Sequence, residues 1–177
     1  MNSALEKIIE LDQRVAKHWA GGLGQPWLTG LLQGVTPLGS AYVCFPAYGA
    51  GLIFGRHSFD PIIVTLLVAE MLLFPLVLIL RYAIRRERPS VFVVRPWEPW
   101  NRYAFPSYHA ARMGMLALVI SASSPDLPAV MIIVALLVGF SRLYLRKHYL
   151  SDVLAGGLAG VFSGVAAQAA LGFAKSF

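Results

Sequence analysis

Long stretches of this chain carry no charge, and that narrows what it can fold into more than any other feature. From Trp19 to Gly55 there is no Asp, Glu, Lys or Arg, and Val153 to Ala174 is equally clear. A helix crossing the hydrocarbon of a bilayer needs about 20 apolar residues, and both runs are long enough. Met113 to Pro125 and Leu127 to Ser141 are uncharged as well. Only 14% of the residues are charged against 57% hydrophobic, well short of the charged share of a soluble protein. Only helices and closed barrels satisfy their backbone inside lipid. The runs have helical length, so the expected class is an all-α integral membrane bundle, with the 177 residues forming one domain.

Taken in order, Ser3-x-x-Glu6 is a capping-box pattern that opens a helix over about 3 to 19. Leu5, Ile8, Ile9, Val15, Ala16 and Trp19 share one side, and Glu6, Lys7, Glu10, Arg14 and Lys17 lie mostly elsewhere. This predicts an amphipathic helix on the membrane surface. Gly21, Gly22, Gly24 and Pro26 break it, and residues 27 to 36 read as a short interfacial or re-entrant piece. Five crossings are then expected within 38 to 174. The first spans about 38 to 55, closed by Arg56-His57, and the second runs from Asp60-Pro61 to Arg81 with Pro75 inside it. The others fall at about 107 to 124, 127 to 143 and 151 to 174. In the last, Gly156, Gly160 and Gly164 form a small-residue stripe suited to close helix packing.

The connection from Arg81 to Phe105 interleaves arginines with Trp97, Trp100 and Tyr103, a mixture suited to the headgroup layer. The excess of basic residues, a net charge of +6, clusters at the ends of apolar runs. Its natural partners are anionic headgroups or phosphate-bearing substrates rather than nucleic acid. Cys44 is the single cysteine, so no intrachain disulfide can form.

Five crossings bring three polar clusters to one side: Arg81 to Arg88, Ser107 with His109, and Arg142 to Asp152. Guanidinium groups match phosphate oxygens bidentately, and the start of the third crossing offers backbone N–H groups to the same anion. His148 and Asp152 stand four residues apart, close enough for a carboxylate to hold an imidazole. Taken alone, the Arg142 to Asp152 stretch also fits a basic interfacial turn that anchors helices.

The three clusters together resemble the type-2 phosphatidate phosphatase superfamily, whose site is shared with vanadium haloperoxidases. The family pattern is Lys-x6-Arg-Pro, Pro-Ser-Gly-His and Ser-Arg-x5-His-x3-Asp. Here it reads Arg81-x6-Arg88-Pro89, Pro106-Ser107-Tyr108-His109 and Ser141-Arg142-x5-His148-x3-Asp152. Two positions depart from it. Arg81 stands where lysine is usual, and Tyr108 replaces glycine, placing a ring beside the phosphate and bearing on substrate identity.

The resemblance implies a mechanism. His148 attacks phosphorus through one ring nitrogen while Asp152 holds the other N–H. His109 protonates the departing lipid oxygen, then activates the water that releases phosphate. Arg81, Arg88, Arg142, Ser107 and the Tyr108 amide bind phosphate oxygens. No metal or other cofactor is implied, and His18 and His57 are isolated in the sequence. The expected substrate is a lipid phosphate or diphosphate of the phosphatidate, phosphatidylglycerophosphate or polyprenyl type. The rivals are a lipid phosphotransferase using the same intermediate, a haloperoxidase, and a non-catalytic lipid-binding protein.

Two readings concern single features. Glu70 matches no motif and lies eleven residues before Arg81 on nearly the same helix face, about 16 Å deeper. It reads as a protonated or hydrogen-bonded packing residue rather than a functional one. Of fifteen Lys and Arg, only Arg56 and Lys175 fall on the side away from the clusters, which points to a cell membrane protein with a cytoplasmic site.

Overall fold

The computed structural model describes residues 3–20, 25–55, 60–90 and 101–172. Seven α-helices occur there, and no strand is found among the described residues: α1 (Ser3–Ala20), α2 (Pro26–Val35), α3 (Ala41–Phe54), α4 (Asp60–Ile84), α5 (Tyr108–Ser123), α6 (Pro128–Tyr144) and α7 (Leu150–Ala170). A 3-10 turn at Thr36–Gly39 joins α2 to α3. The Arg56-His57 stop, the stretch with Arg95, Trp97, Glu98 and Trp100, and Lys175 lie outside the described residues, as do the side chains of Leu5 and Trp19.

From α3 to α7 the helices run alternately up and down. By length and composition two of them, α4 with 25 residues and α7 with 21, can cross a membrane. The pair α2 and α3, bent by 54° at the intervening turn, makes a third candidate, and α6 is apolar but has only 17 residues. α5 stops at Ser123 after 16 residues, about 24 Å of helix. The stretch read as one crossing over 38 to 55 begins instead with Leu38 and Gly39 in the turn, leaving α3 with 14 residues.

Periodicity decides which faces meet. Leu66, Ala69, Leu73 and Val77 recur at helical spacing on α4 and pack with Ala111, Met115 and Val119 of α5 in the core. The opposite faces are apolar too: Met71 and Ile79 on α4, Leu136 on α6, and Leu158 and Phe162 on α7 are all exposed. An exterior of large apolar side chains suits lipid, not water.

The glycine stripe of α7 lets α5 approach almost backbone to backbone. A Cβ at Gly160 would lie 1.8 Å from the Ala111 carbonyl oxygen, and one at Gly156 2.4 Å from that of Ser107. Gly164 faces Leu118 and Val119 of the same helix. This seam sets the functional end of the molecule, because Ser107 N–H can then donate to the Asp152 carbonyl at 2.9 Å.

α1 carries the amphipathic pattern, but its one buried side chain among those described is Asp12, 1% exposed, while Ile8, Ile9 and Leu11 face outward. The helix is fastened to the bundle by a polar contact rather than by its apolar stripe.

Candidate active site

Two chain reversals bring the arginines in. α4 ends at Ile84 and Arg85 takes a left-handed conformation (φ 51°), with its N–H bonded to the Arg81 carbonyl at 2.9 Å. α6 ends similarly, with Arg146 at φ 53°. Non-glycine residues adopt this conformation uncommonly, and here side-chain bonds accompany it. Arg85 Nε donates to the Tyr82 carbonyl at 2.9 Å, and Ser90 Oγ donates to the Arg146 carbonyl at 2.8 Å. The reversals fold Arg86 and Arg88 back under α4 and place His148 opposite them.

His148 is 3% exposed, and its two ring nitrogens have different partners. Nδ1 lies 2.8 Å from the Ala104 carbonyl oxygen, and Nε2 lies 3.2 Å from Arg88 Nη1. A carbonyl can only accept and a guanidinium can only donate, so Nδ1 carries the proton and Nε2 keeps its lone pair. Burial, then Arg142, Arg88 and Arg81, hold the imidazole well below its ordinary pKa of 6.5. It is neutral, with the Nε2 electron pair directed at Arg88.

Asp152 was expected to hold the second ring N–H. Its Oδ2 lies 3.8 Å from His148 Nδ1 and accepts instead from the Tyr149 N–H at 2.8 Å. The Ala104 carbonyl takes the proton-bearing nitrogen, because the loop before α5 runs close beneath the ring. Asp152 remains the nearby charge.

Arg88 contacts this nitrogen, and Arg81 and Arg142 lie near enough to act on the charge of the ring. Arg88 donates to the Lys147 carbonyl (2.8 Å) and to Asn101 Oδ1 (2.9 Å), and burial pushes its pKa down to about 10, leaving it cationic at neutral pH. Arg81, 4% exposed, reaches Asn101 Oδ1 and the Pro106 carbonyl, each at 3.4 Å. Arg142, 5% exposed, donates to Thr36 Oγ1 at 2.9 Å. Among the described residues, Arg142 Nε and Ser107 Oγ are buried without a hydrogen-bond partner. Ser107 precedes α5, so its hydroxyl and the first N–H groups of that helix lie together. His109 packs against Gly39 of the turn.

The His109 and Arg81 side chains also line a cavity of about 870 Å3 that runs between α3 and α4. Its walls include Phe45, Leu67, Phe74, Val77 and Leu78, with Glu70, Tyr108 and Arg112 among them. Tyr42, Phe45, Met71 and Phe74 line the cavity and are also exposed, so it opens sideways through the wall of the bundle.

The residues singled out by the motifs lie at this end, except that the Tyr108 ring, expected beside the phosphate, is turned onto Glu70 and Arg112 instead. Sequence reasoning missed their supports: Thr36, Asn101, Ala104, Arg86 and Asp12. Arg86 Nη1 donates to Asp152 Oδ1 (2.9 Å) and Ser151 Oγ (2.6 Å), and its Nη2 donates to Asp12 Oδ2 (2.7 Å). A signal for Asp12 existed. It is four residues from Ile8 and from Ala16, so it interrupts the apolar stripe of α1 with a carboxylate. Arg112, which the basic-residue count put on the side of the polar clusters, is buried inside the bundle on Glu70.

Such an arrangement defines a class: a helical membrane protein with buried arginines gathered about a neutral histidine at one end of its bundle. Comparison then supplies the family. A model of the PAP2 superfamily matches residues 61–174, most of the chain, and the protein belongs to that superfamily. It is a hydrolase of the lipid phosphatase kind. Phosphatidylglycerophosphatase B of Bacillus subtilis is 30% identical over 159 residues, 82% of this chain and 75% of that one. Undecaprenyl-diphosphatase of Sulfolobus acidocaldarius is 33% identical over 137 residues, 75% of this chain and 66% of its own. Among solved structures, a transmembrane PAP2-type phosphatidylglycerolphosphate phosphatase from Bacillus subtilis superposes with a TM-score of 0.76 at 26% identity, covering 99% of this chain and 90% of its own. LpxE of Aquifex aeolicus does so with 0.73 at 26% identity, covering 91% and 94%.

Proposed function

We propose that the protein hydrolyses a lipid phosphate or diphosphate without a metal, through a phosphohistidine on His148. The observation that carries this reading is the tautomer: Nδ1–H bound to a carbonyl, and the Nε2 lone pair facing Arg88, with Arg81 and Arg142 near the ring. Nε2 forms the bond to phosphorus as the bond from phosphorus to the leaving oxygen breaks, which is the lipid oxygen in a monophosphate and the bridging oxygen in a diphosphate. His109 protonates that oxygen, then takes a proton from the water that attacks the phosphohistidine and releases phosphate. The imidazole becomes positive when it is phosphorylated, and the buried Asp152 carboxylate beside it stabilises that charge. Arg81, Arg88, Arg142, Ser107 and the Tyr108 amide hold the equatorial oxygens, where charge spreads in the transition state. Arg88 exchanges its contact with Nε2 for a phosphate oxygen.

The sideways cavity supports a lipid substrate, since its size suits a bound ligand and its walls are apolar. The candidates are phosphatidate, phosphatidylglycerophosphate and a polyprenyl (di)phosphate. α3 to α7 act as five crossings of one domain, and α1 lies at the surface with Ile8, Ile9 and Leu11 toward lipid. The site faces the cytoplasm of a cell membrane, by the bias of basic residues. Arg102→Cys in a Cys44→Ser background is then shielded from impermeant maleimide in intact cells, and full labelling there reverses the assignment.

Purified protein in detergent, assayed on these three lipids for phosphate release, tests the chemistry. Activity survives EDTA and is blocked by vanadate. His148→Ala abolishes turnover and the acid-labile phosphoenzyme. Activity lost in EDTA and restored by a divalent cation would refute the mechanism, and transfer of phosphate to a second lipid would replace hydrolase with phosphotransferase.

A further inference from the structure

One set of charged groups takes no part in holding phosphate yet runs from α1 to Asp152, beside the proposed nucleophile. Asp12 accepts from the Ser151 N–H (2.9 Å), from Ser151 Oγ (2.5 Å) and from Arg86 Nη2 (2.7 Å). Arg86 spans from there to Asp152 Oδ1 at 2.9 Å, and its guanidinium lies 4.0 Å above the Tyr149 ring. Asp152 Oδ2 closes the turn onto the Tyr149 N–H. His148 is the next residue back.

We propose that Arg86 and Asp12 are positioning residues, which fix the Asp152 carboxylate and the turn from His148 to Ser151 in the geometry that phosphoryl transfer needs. The proposal rests on the assignment of His148 and Asp152 above. Asp152 is 0% and Asp12 1% exposed, and one guanidinium serves both. Without Arg86 two buried carboxylates face each other with no cation between them, and one must move or take up a proton. Asp152 would then shift relative to the ring, 3.8 Å away, whose positive charge it stabilises. A planar fork stacked on a tyrosine is needed to reach both acids, and an ammonium on a flexible stem reaches only one. Asp12 acts through Arg86 and Ser151, so α1 contributes to the site although none of its residues has been placed on the substrate.

The test uses the full chain in detergent, with whichever of the three lipids above is turned over fastest. A displacement of about 1 Å costs about 100-fold in rate, so Arg86→Ala lowers kcat by about that factor, with KM nearly unchanged. Arg86→Lys recovers part of the loss. Asp12→Asn keeps the shape and lowers kcat by less. The double variant Asp12→Asn/Arg86→Ala is no slower than Arg86→Ala, because residues acting through one another are not additive. A merely structural lock predicts otherwise: losses that follow the melting temperature, raise KM equally and add in the double variant. That pattern, or wild-type kcat in Arg86→Lys and Asp12→Asn, overturns the proposal. If Arg86→Ala does not fold, those two milder variants decide. His148→Ala separates the two levels. A phosphoenzyme that persists in it defeats the assignment of the nucleophile, whereas an inert His148→Ala beside unaffected Arg86 variants defeats only this inference.

Discussion

Two networks of arginine, carboxylate and tyrosine are set into one bundle at different depths, and they are built alike. The outer one joins Arg86 to Asp12 and Asp152, with the guanidinium over Tyr149. The inner one joins Arg112 to Glu70, with the guanidinium 4.5 Å above Tyr108. Arg112 reaches Glu70 through both Nε and Nη2 and donates Nη1 to the Gly39 carbonyl at 2.9 Å, and Tyr108 OH donates to Glu70 at 2.9 Å. The inner set is closed: one acid matches one base, and α4, α5 and the turn before α3 are clamped together. In the outer set one base serves two acids, and one of those acids lies next to His148. Chemistry of the same kind is therefore structural in one place and supportive of reaction in the other, according to what stands beside it.

The contrast can be broken by substitution, and the largest effect falls on the inner network. Removing one partner of a buried pair strands the other charge, so Glu70→Leu destabilises the protein by about 3–5 kcal/mol, read as a lower midpoint of thermal unfolding in detergent. Adding Arg112→Leu removes the stranded charge and returns most of that stability. The outer network behaves the other way, since removing both Asp12 and Arg86 restores no activity. Glu70→Gln keeps the shape and most of the turnover. If it folds normally yet is inactive, the inner network belongs to the chemistry and the contrast collapses. The smallest effect is at Tyr108→Phe, which deletes one hydrogen bond and retains the ring. Its cost is about 1 kcal/mol in stability, with kcat nearly unchanged. A large fall in kcat would place the Tyr108 hydroxyl on the substrate.

Sequence reasoning reached Glu70 only as a protonated or hydrogen-bonded packing residue, and its two partners, Tyr108 and Arg112, explain why. Tyr108 was visible as a departure from a motif and Arg112 as one basic residue among many. That both reach the same carboxylate depends on the rotation of α5 against α4, which periodicity alone does not specify. The stripe at Gly156, Gly160 and Gly164 was legible as a packing surface, and the structure shows α5 to be its partner. α1 illustrates the opposite outcome. Its apolar side suggested a helix resting on lipid, yet its fastening is Asp12, a residue the apolar pattern treats as an interruption.

The sequence by itself determined that this chain lives in a bilayer and which residues gather at one end of it. Both follow from local quantities: the length of uncharged runs, and the order in which polar motifs punctuate them. Tertiary structure decided the rest. The Ala104 carbonyl, not Asp152, accepts the His148 Nδ1–H; Asn101 and Thr36 steady the arginines; and Asp12 reaches a site more than a hundred residues away in the chain. These contacts join residues with no fixed spacing in sequence. They form only because the glycine seam brings α5 and α7 to backbone contact and two left-handed arginines turn the chain back beneath α4 and α6.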